Sequence, residues 1–321
     1  MKSVLRIAIF LALLAGAVIV VLAAAGCKRE GLTAAAAAGS YASLPPPPEP
    51  KGWRLTREAY DHATTVPGAR VLSDANPRLV LLKNFLSPEE TQHFVDVNKD
   101  RLRPSEVVTA AGDQRDPSRT SSGAWVEEDD VVRRVTARIH SVASVPESYG
   151  EQIYVLNYKR KEKYSAHNDH CMDTGDKPDA GCMRMLRQGG GPECGREKGG
   201  PSCGDRLATF IMYLKAPAKG GRTVFPESAV TRARLAADVD RSSPDWYCEV
   251  DEVLGVAPEA GDAILFWNYA YDAGADGSGS YEAGTASPGA KRVYEAMHSG
   301  CPVKDGEKWI ATRWIRGAPM R

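Results

Sequence analysis

The chain has 321 residues, and its Lys plus Arg count of 41 is balanced by an Asp plus Glu count of 41, so no global field draws it to nucleic acid or to an anionic membrane surface. Hydrophobic residues at 43% and charged residues at 26% are ordinary for a globular chain and exclude disorder as the dominant state. No nucleic-acid partner is expected.

Lys2 and Arg6 precede an apolar run from Ile7 to Ala25, which as a helix rising about 1.5 Å per residue spans roughly 28 Å, close to the thickness of a bilayer's hydrocarbon core. Cleavable signals carry a shorter apolar stretch of about 7 to 15 residues, so residues 1–27 read as an uncleaved signal anchor holding the protein at a membrane. A removed signal and a bacterial lipoprotein lipidated at Cys27 are the alternatives, and all three send the rest of the chain out of the cytosol. Residues 28–52 run through Ala34 to Ala38 into Pro45 to Pro48, where consecutive prolines hold an extended polyproline conformation without a core. That segment is expected to be a spacer, and the folded domain to occupy residues 53–321.

Arg78 to Leu86 predicts a buried strand. Ser87, Pro88 and Glu90 then supply an N-cap, a proline in the first turn and a capping box for a helix reaching about Lys99. A second helix is predicted from Glu127 to about Val142, with acids in its first turn and Arg133, Arg134 and Arg138 later, as the helix dipole prefers. After Gly150 the texture changes. Short β-rich runs at Gln152 to Tyr158, Arg206 to Leu214, Ala263 to Trp267 and Lys308 to Ile315 predict a sandwich or barrel of short strands, hence a mainly β protein with flanking helices.

His167 and Asp169 stand two apart at a predicted strand end, so period-two alternation puts both on one face. A lone His-x-Asp is usually a surface turn, and here His298 offers a third ligand. Downstream, Lys308, Ile310, Thr312 and Trp314 share a face of the last strand, and an inward lysine needs an anion, because burying an unpaired ammonium is costly. Two imidazoles and one carboxylate leave three octahedral positions open, the pattern of non-haem Fe(II) oxygenases. The same donor set also fits zinc.

These residues sit in strings that resemble a known family. Arg119 to Gly123, Tyr158 followed by His167, Gly204 to Thr209, Gly220 to Pro226 and the block from His298 to Trp314 are similar to the catalytic domain of plant and algal prolyl 4-hydroxylases, 2-oxoglutarate and Fe(II)-dependent dioxygenases. The resemblance spans about Val80 to Ala318. It implies a double-stranded β-helix (jelly-roll) core, and Fe(II), 2-oxoglutarate, O₂ and ascorbate as cofactors and cosubstrates. It further implies hydroxylation of C4 of peptidyl proline in proline-rich secretory-pathway polypeptides, with 2-oxoglutarate decarboxylated to succinate. Carried over by position, His167, Asp169 and His298 resemble the iron ligands and Lys308 the anchor of the cosubstrate's far carboxylate. Thr223 and Tyr158 match positions that hydrogen-bond that carboxylate. Arg119, Ser121, Glu151, Tyr164, Arg206 and Trp314 match positions near the bound peptide, while Arg316 stands where algal relatives carry histidine.

The resemblance also implies a location in the endoplasmic reticulum or Golgi membrane, single-pass, with the catalytic domain in the lumen. Of the six cysteines beyond Cys27, Cys248 and Cys301 match a pair that relatives bridge. Cys171, Cys182, Cys194 and Cys203 fall in an insertion, residues 171–203, where disulfides compete with a zinc site. Other functions stay open: the same iron chemistry on another residue or a small molecule, a non-catalytic proline-rich-peptide binding module, or a zinc hydrolase. His62, His93 and His140 are expected to be structural or exposed, and His170 to stand behind the ligands.

Overall fold

In chain order, the elements that frame the site are β1 (Ala69–Ser73), β2 (Leu79–Leu82), α1 (Pro88–Asn98), β3 (Arg103–Pro104), β4 (Ser122–Trp125), α2 (Asp130–Ala143), β5 (Tyr154–Tyr158), β6 (Tyr164–His167), β7 (Arg206–Lys215), β8 (Thr223–Val224), β9 (Gly255–Val256), β10 (Ala263–Trp267), β11 (His298–Gly300) and β12 (Lys308–Arg316). They are seen in a computed structural model that describes residues 41, 43–51, 54–109, 112–171, 205–271, 281–282, 291–317 and 319–320. An eight-stranded sheet has the order β1-β2-β10-β7-β12-β5-β4-β3, and a four-stranded sheet the order β9-β8-β11-β6. Every pairing in both is antiparallel.

Alternation along the long strands decides what each face of the large sheet meets. Phe210 and Met212 of β7, with Trp309, Ala311 and Ile315 of β12, pack into one core with Phe94 of α1 and Val135 and Ile139 of α2. Their neighbours Ile211, Tyr213 and Ile310 point the other way, into a second core that includes Val256 of the small sheet and Phe225 just after β8. The helices thus cover one face of the large sheet and the small sheet covers the other, the layering of a jelly roll with flanking helices. Each fully buried Leu-, Ile- or Phe-sized side chain contributes about 1.5–3 kcal/mol, so these two cores hold the strands in register.

The predicted capping box is present: Ser87 accepts from the Glu90 N–H, and the Glu90 carboxylate accepts from the Ser87 N–H. α2 begins at Asp130 rather than Glu127, because Asp129 takes the N-cap and accepts from the Val132 N–H at 2.9 Å. The strand expected over Arg78 to Leu86 is shorter, since Asn84 turns the chain with φ of 51° while Phe85 and Leu86 stay buried.

The spacer expected over residues 28–52 is not free of the core. Tyr41 is buried, donates to the Lys83 carbonyl at 3.0 Å and stacks edge-on against Phe85. The folded part therefore begins ahead of residue 53. A disulfide joins Cys248 to Cys301, as expected, and Cys171 is also disulfide-bonded. The expected anchor, residues 1–27, and residues 172–203 of the insertion lie outside the described residues. Among the described residues no helix is long and apolar enough to cross a membrane.

Candidate active site

β6 and β11 pair so that His167 stands directly opposite His298, which places both imidazoles on the same face of the small sheet. The chain leaving β6 brings Asp169 beneath them. Nε2 of His167 lies 3.7 Å from Asp169 Oδ1, and Nε2 of His298 lies 3.6 Å from Asp169 Oδ2. Ligand atoms of the three residues all fall within 4.8 Å of one another. Nδ1 of His167 faces the Ser165 carbonyl at 2.8 Å and Nδ1 of His298 faces the Ala296 carbonyl at 3.1 Å. A carbonyl only accepts, so each Nδ1 carries a hydrogen and each Nε2 is the ring nitrogen turned toward the cluster.

Electrostatics prepare the same donor set. Burial pushes His167 down to about 3, helped by the neighbouring His298 and only partly offset by Asp169, so its imidazole is neutral. Burial alone would raise Asp169. The opposing pull of His298, His167 and Arg206, with a hydrogen bond from Thr209, outweighs it and holds the carboxylate well below its ordinary range. Two imidazole nitrogens and one carboxylate are a donor set that suits Fe(II).

Thr209 and Asn268, neither of them expected at the site, support the carboxylate. The Thr209 hydroxyl donates to Asp169 Oδ2 at 2.7 Å, and Asn268 Nδ2 donates to Thr209 Oγ1 at 3.0 Å. A hydroxyl has one hydrogen; because Asn268 fills its acceptor side, that hydrogen is left for Asp169. A trace of this is visible in the sequence. Thr209 and Tyr213 are the hydroxyl-bearing residues of an otherwise apolar strand core, and four residues apart they share a face.

Lys308 opens β12 opposite Tyr158 of β5. It is 2% exposed, its Nζ donates to Thr223 Oγ1 at 3.4 Å, and Tyr213 donates to the same oxygen at 3.0 Å. Its ammonium lies 5.5 Å from the Tyr158 ring centroid. Among the described residues no carboxylate pairs with it, and burial pushes its amine down to about 7. Room for the lysine stem comes from Gly221, at φ of 71°, where a Cβ would stand 3.3 Å from Lys308 Cδ.

A narrow cleft, open to solvent, connects the two ends. His167, Asp169, His298, Lys308, Thr223 and Tyr158 line it, and so do Arg119, Tyr164 and Trp314. Thus nine of the expected site residues are brought together. Ser121, Glu151 and Arg206 are not among the lining residues. Ser121 is buried and donates to Ser105 Oγ at 3.0 Å. Glu151 is held by Arg206 at 2.7 and 2.9 Å and by Arg316 at 2.7 Å, so its charge is satisfied within the protein. Arg206 stacks on Trp314, its guanidinium carbon 3.8 Å from the ring centroid, and its Nη1 lies 3.8 Å from Asp169 Oδ1. These two charged residues reach the cleft through Trp314 and Asp169. His170 turns its ring nitrogens toward the carbonyls of Cys171 and Val293, away from the cluster.

A jelly roll that gathers two histidines and an aspartate at one end of a cleft and a buried lysine at the other defines a class of oxygenase. Residues 153–316 match the family model described as the 2OG-Fe(II) oxygenase superfamily, and the chain belongs to that superfamily. Proteins similar to it include plant prolyl 4-hydroxylases. The chain is 33% identical over 244 residues to probable prolyl 4-hydroxylase 6 of Arabidopsis thaliana, covering 74% of this chain and 69% of that protein. It is 32% identical over 247 residues to prolyl 4-hydroxylase 5 of the same plant, covering 74% and 68%. Among solved structures, the viral collagen prolyl hydroxylase of Paramecium Bursaria Chlorella virus-1 aligns over 74% of this chain and 95% of its own, at 22% identity and a TM-score of 0.44.

Proposed function

We propose that the protein hydroxylates C4 of peptidyl proline in proline-rich polypeptides, using 2-oxoglutarate and O₂. The observation that carries this reading is the pairing of a His-Asp-His cluster, its carboxylate ionised, with a buried lysine that no carboxylate meets among the described residues, across one cleft. In this reading His167 Nε2, Asp169 and His298 Nε2 hold Fe(II), which together with 2-oxoglutarate and O₂ supplies the chemistry that oxidises a C–H bond while 2-oxoglutarate becomes succinate and CO₂. Lys308 and Thr223 receive the far carboxylate of the cosubstrate, with Tyr158 walling that end. A charge-assisted bond in so dry a site fixes the cosubstrate's orientation as well as its affinity. Thr209 holds Asp169 in its ionised, ligating form, and Tyr164, stacked on His167 at 3.6 Å, closes the cluster from the peptide side.

A proline-rich chain is already extended in a polyproline II helix, so binding it orders little and suits a cleft walled by Tyr164 and Trp314. Disulfides at Cys248–Cys301 and at Cys171 support an oxidising compartment, in keeping with a luminal domain behind a membrane anchor at residues 1–27. The reading is tested by succinate release with Fe(II) and ascorbate present, compared across polyproline, collagen-like and proline-free peptides. Stimulation by the first two, with a gain of one oxygen in the peptide, is expected; equal succinate release with all three would overturn it.

A further inference from the structure

The cleft-bearing face of the large sheet continues past Trp314. β4 and β5 pair so that Trp125 stands opposite Tyr154, and β5 and β12 pair so that Tyr154 stands opposite Thr312, a cleft residue. Directly opposed residues share a face, so Trp125, Tyr154 and Trp314 form one surface. The ring centroids lie 4.6 Å apart for Trp125 and Tyr154, 6.4 Å for Tyr154 and Trp314, and 6.3 Å for Trp125 and Trp314. Tyr154 lies flat over Gly123, where a Cβ would stand 2.5 Å from the ring, so that glycine is what lets the ring take its place in the row. Trp125 at the outer end is 46% exposed, an unusual position for the largest apolar side chain.

Three buried nitrogen atoms beside this row are left without partners among the described residues. Arg119 lies between the rings of Tyr154 and Tyr164, 5.7 and 4.8 Å from their centroids. Its Nε and Nη2, and the Trp314 Nε1, are buried and have no hydrogen-bond partner among the described residues. All three are donors.

We propose that Trp125 and Tyr154 form an outer subsite for the extended, proline-rich substrate, seating a residue about two positions along the chain from the one at Trp314. The inference rests on the peptidyl-proline reading above and adds to it a length preference. A polyproline II chain rises about 3.1 Å per residue, so the 6.3 Å between the two indoles corresponds to about two residues. Such a chain presents flat pyrrolidine rings and no N–H to satisfy, which complements a row of aromatic faces that ends in the exposed Trp125. Continuity with the cleft selects this occupant.

The test compares the wild-type chain with Trp125→Ala and Trp125→Tyr on a three-residue and a ten-residue proline-rich peptide. Trp125→Ala raises KM for the long peptide about tenfold and shifts KM for the short one less than twofold, whereas Trp125→Tyr restores the long-peptide value. Equal KM changes on both lengths, or a change confined to kcat, would overturn the subsite. Calorimetric binding of the long peptide to Mn(II)-loaded protein separates the two readings. Trp125-dependent binding without hydroxylation refutes only the catalytic reading, and hydroxylation with Trp125-independent binding refutes only the subsite.

Discussion

Lys308 and Arg313 leave the same strand toward opposite faces of the large sheet, and both are buried, at 2% and 8% exposure. Arg313, on the helix side, is satisfied by the fold: it donates to His140 Nε2 at 2.9 Å, to the Glu151 carbonyl at 2.6 Å and to the Glu147 carbonyl at 3.2 Å. Lys308, on the cleft side, has a single hydroxyl acceptor among the described residues, Thr223 Oγ1 at 3.4 Å. Burial lowers both, Arg313 to about 10 and Lys308 to about 7. Two cations of equal depth on one strand thus serve different ends. One is a structural clamp whose acceptors are built in, and the other meets only a threonine hydroxyl among the described residues.

The largest expected effect lies on the cleft side. His298→Ala removes one of three ligands from a labile ion, and both metal binding, followed by Co(II) titration, and turnover are expected to be lost. Retention of tight Co(II) binding would show that the cluster is not the metal site. Thr209→Val keeps the shape of the side chain and removes the hydrogen bond to Asp169. It is expected to weaken metal affinity about 10- to 100-fold, read in the same titration.

On the helix side, Arg313→Met leaves His140 and two carbonyls without their donor. A loss of about 3 kcal/mol is expected, a Tm decrease on the order of 5–10 °C, with 2-oxoglutarate affinity little changed. A Tm equal to wild type would erase the contrast between the two faces. The smallest effect is in the pH dependence. Lys308 in the free site loses its proton near 7, and pairing with a carboxylate restores the charged form, so binding takes up a proton above that pH. Affinity for 2-oxoglutarate is therefore greatest below pH 7 and falls as pH rises beyond it, by at most about tenfold per unit. Calorimetry in buffers of different ionisation enthalpy reads the proton directly.

The sequence carries one half of the contrast more openly than the other. Alternation along Lys308 to Trp314 put Lys308, Ile310, Thr312 and Trp314 on one face, and all four line the cleft. Arg313 is on the opposite parity by the same count, but its acceptors come from the turn after α2 and from His140, contacts between segments far apart in sequence. His140 was expected to be structural or exposed. It is wholly buried and neutral, lowered by burial and by Arg313. Thr209 and Asn268 are not legible in the sequence for a similar reason: what makes a strand threonine a partner of Asp169 is the position of three separate segments. Residues with local causes, such as Ser87 and Glu90 at their capping box, were readable directly.

The most direct test of the central claim is a 2-oxoglutarate titration of Co(II)-loaded Lys308→Met beside the wild type, with Tm measured on both. Loss of the charge-assisted contact, about 1.5 to 3 kcal/mol, is expected to weaken 2-oxoglutarate binding roughly 10- to 150-fold. The Tm without 2-oxoglutarate should be equal to wild type or higher, because an uncompensated buried ammonium is gone. Unchanged 2-oxoglutarate affinity, or a Tm decrease as large as that of Arg313→Met, would contradict the assignment of Lys308 to the ligand.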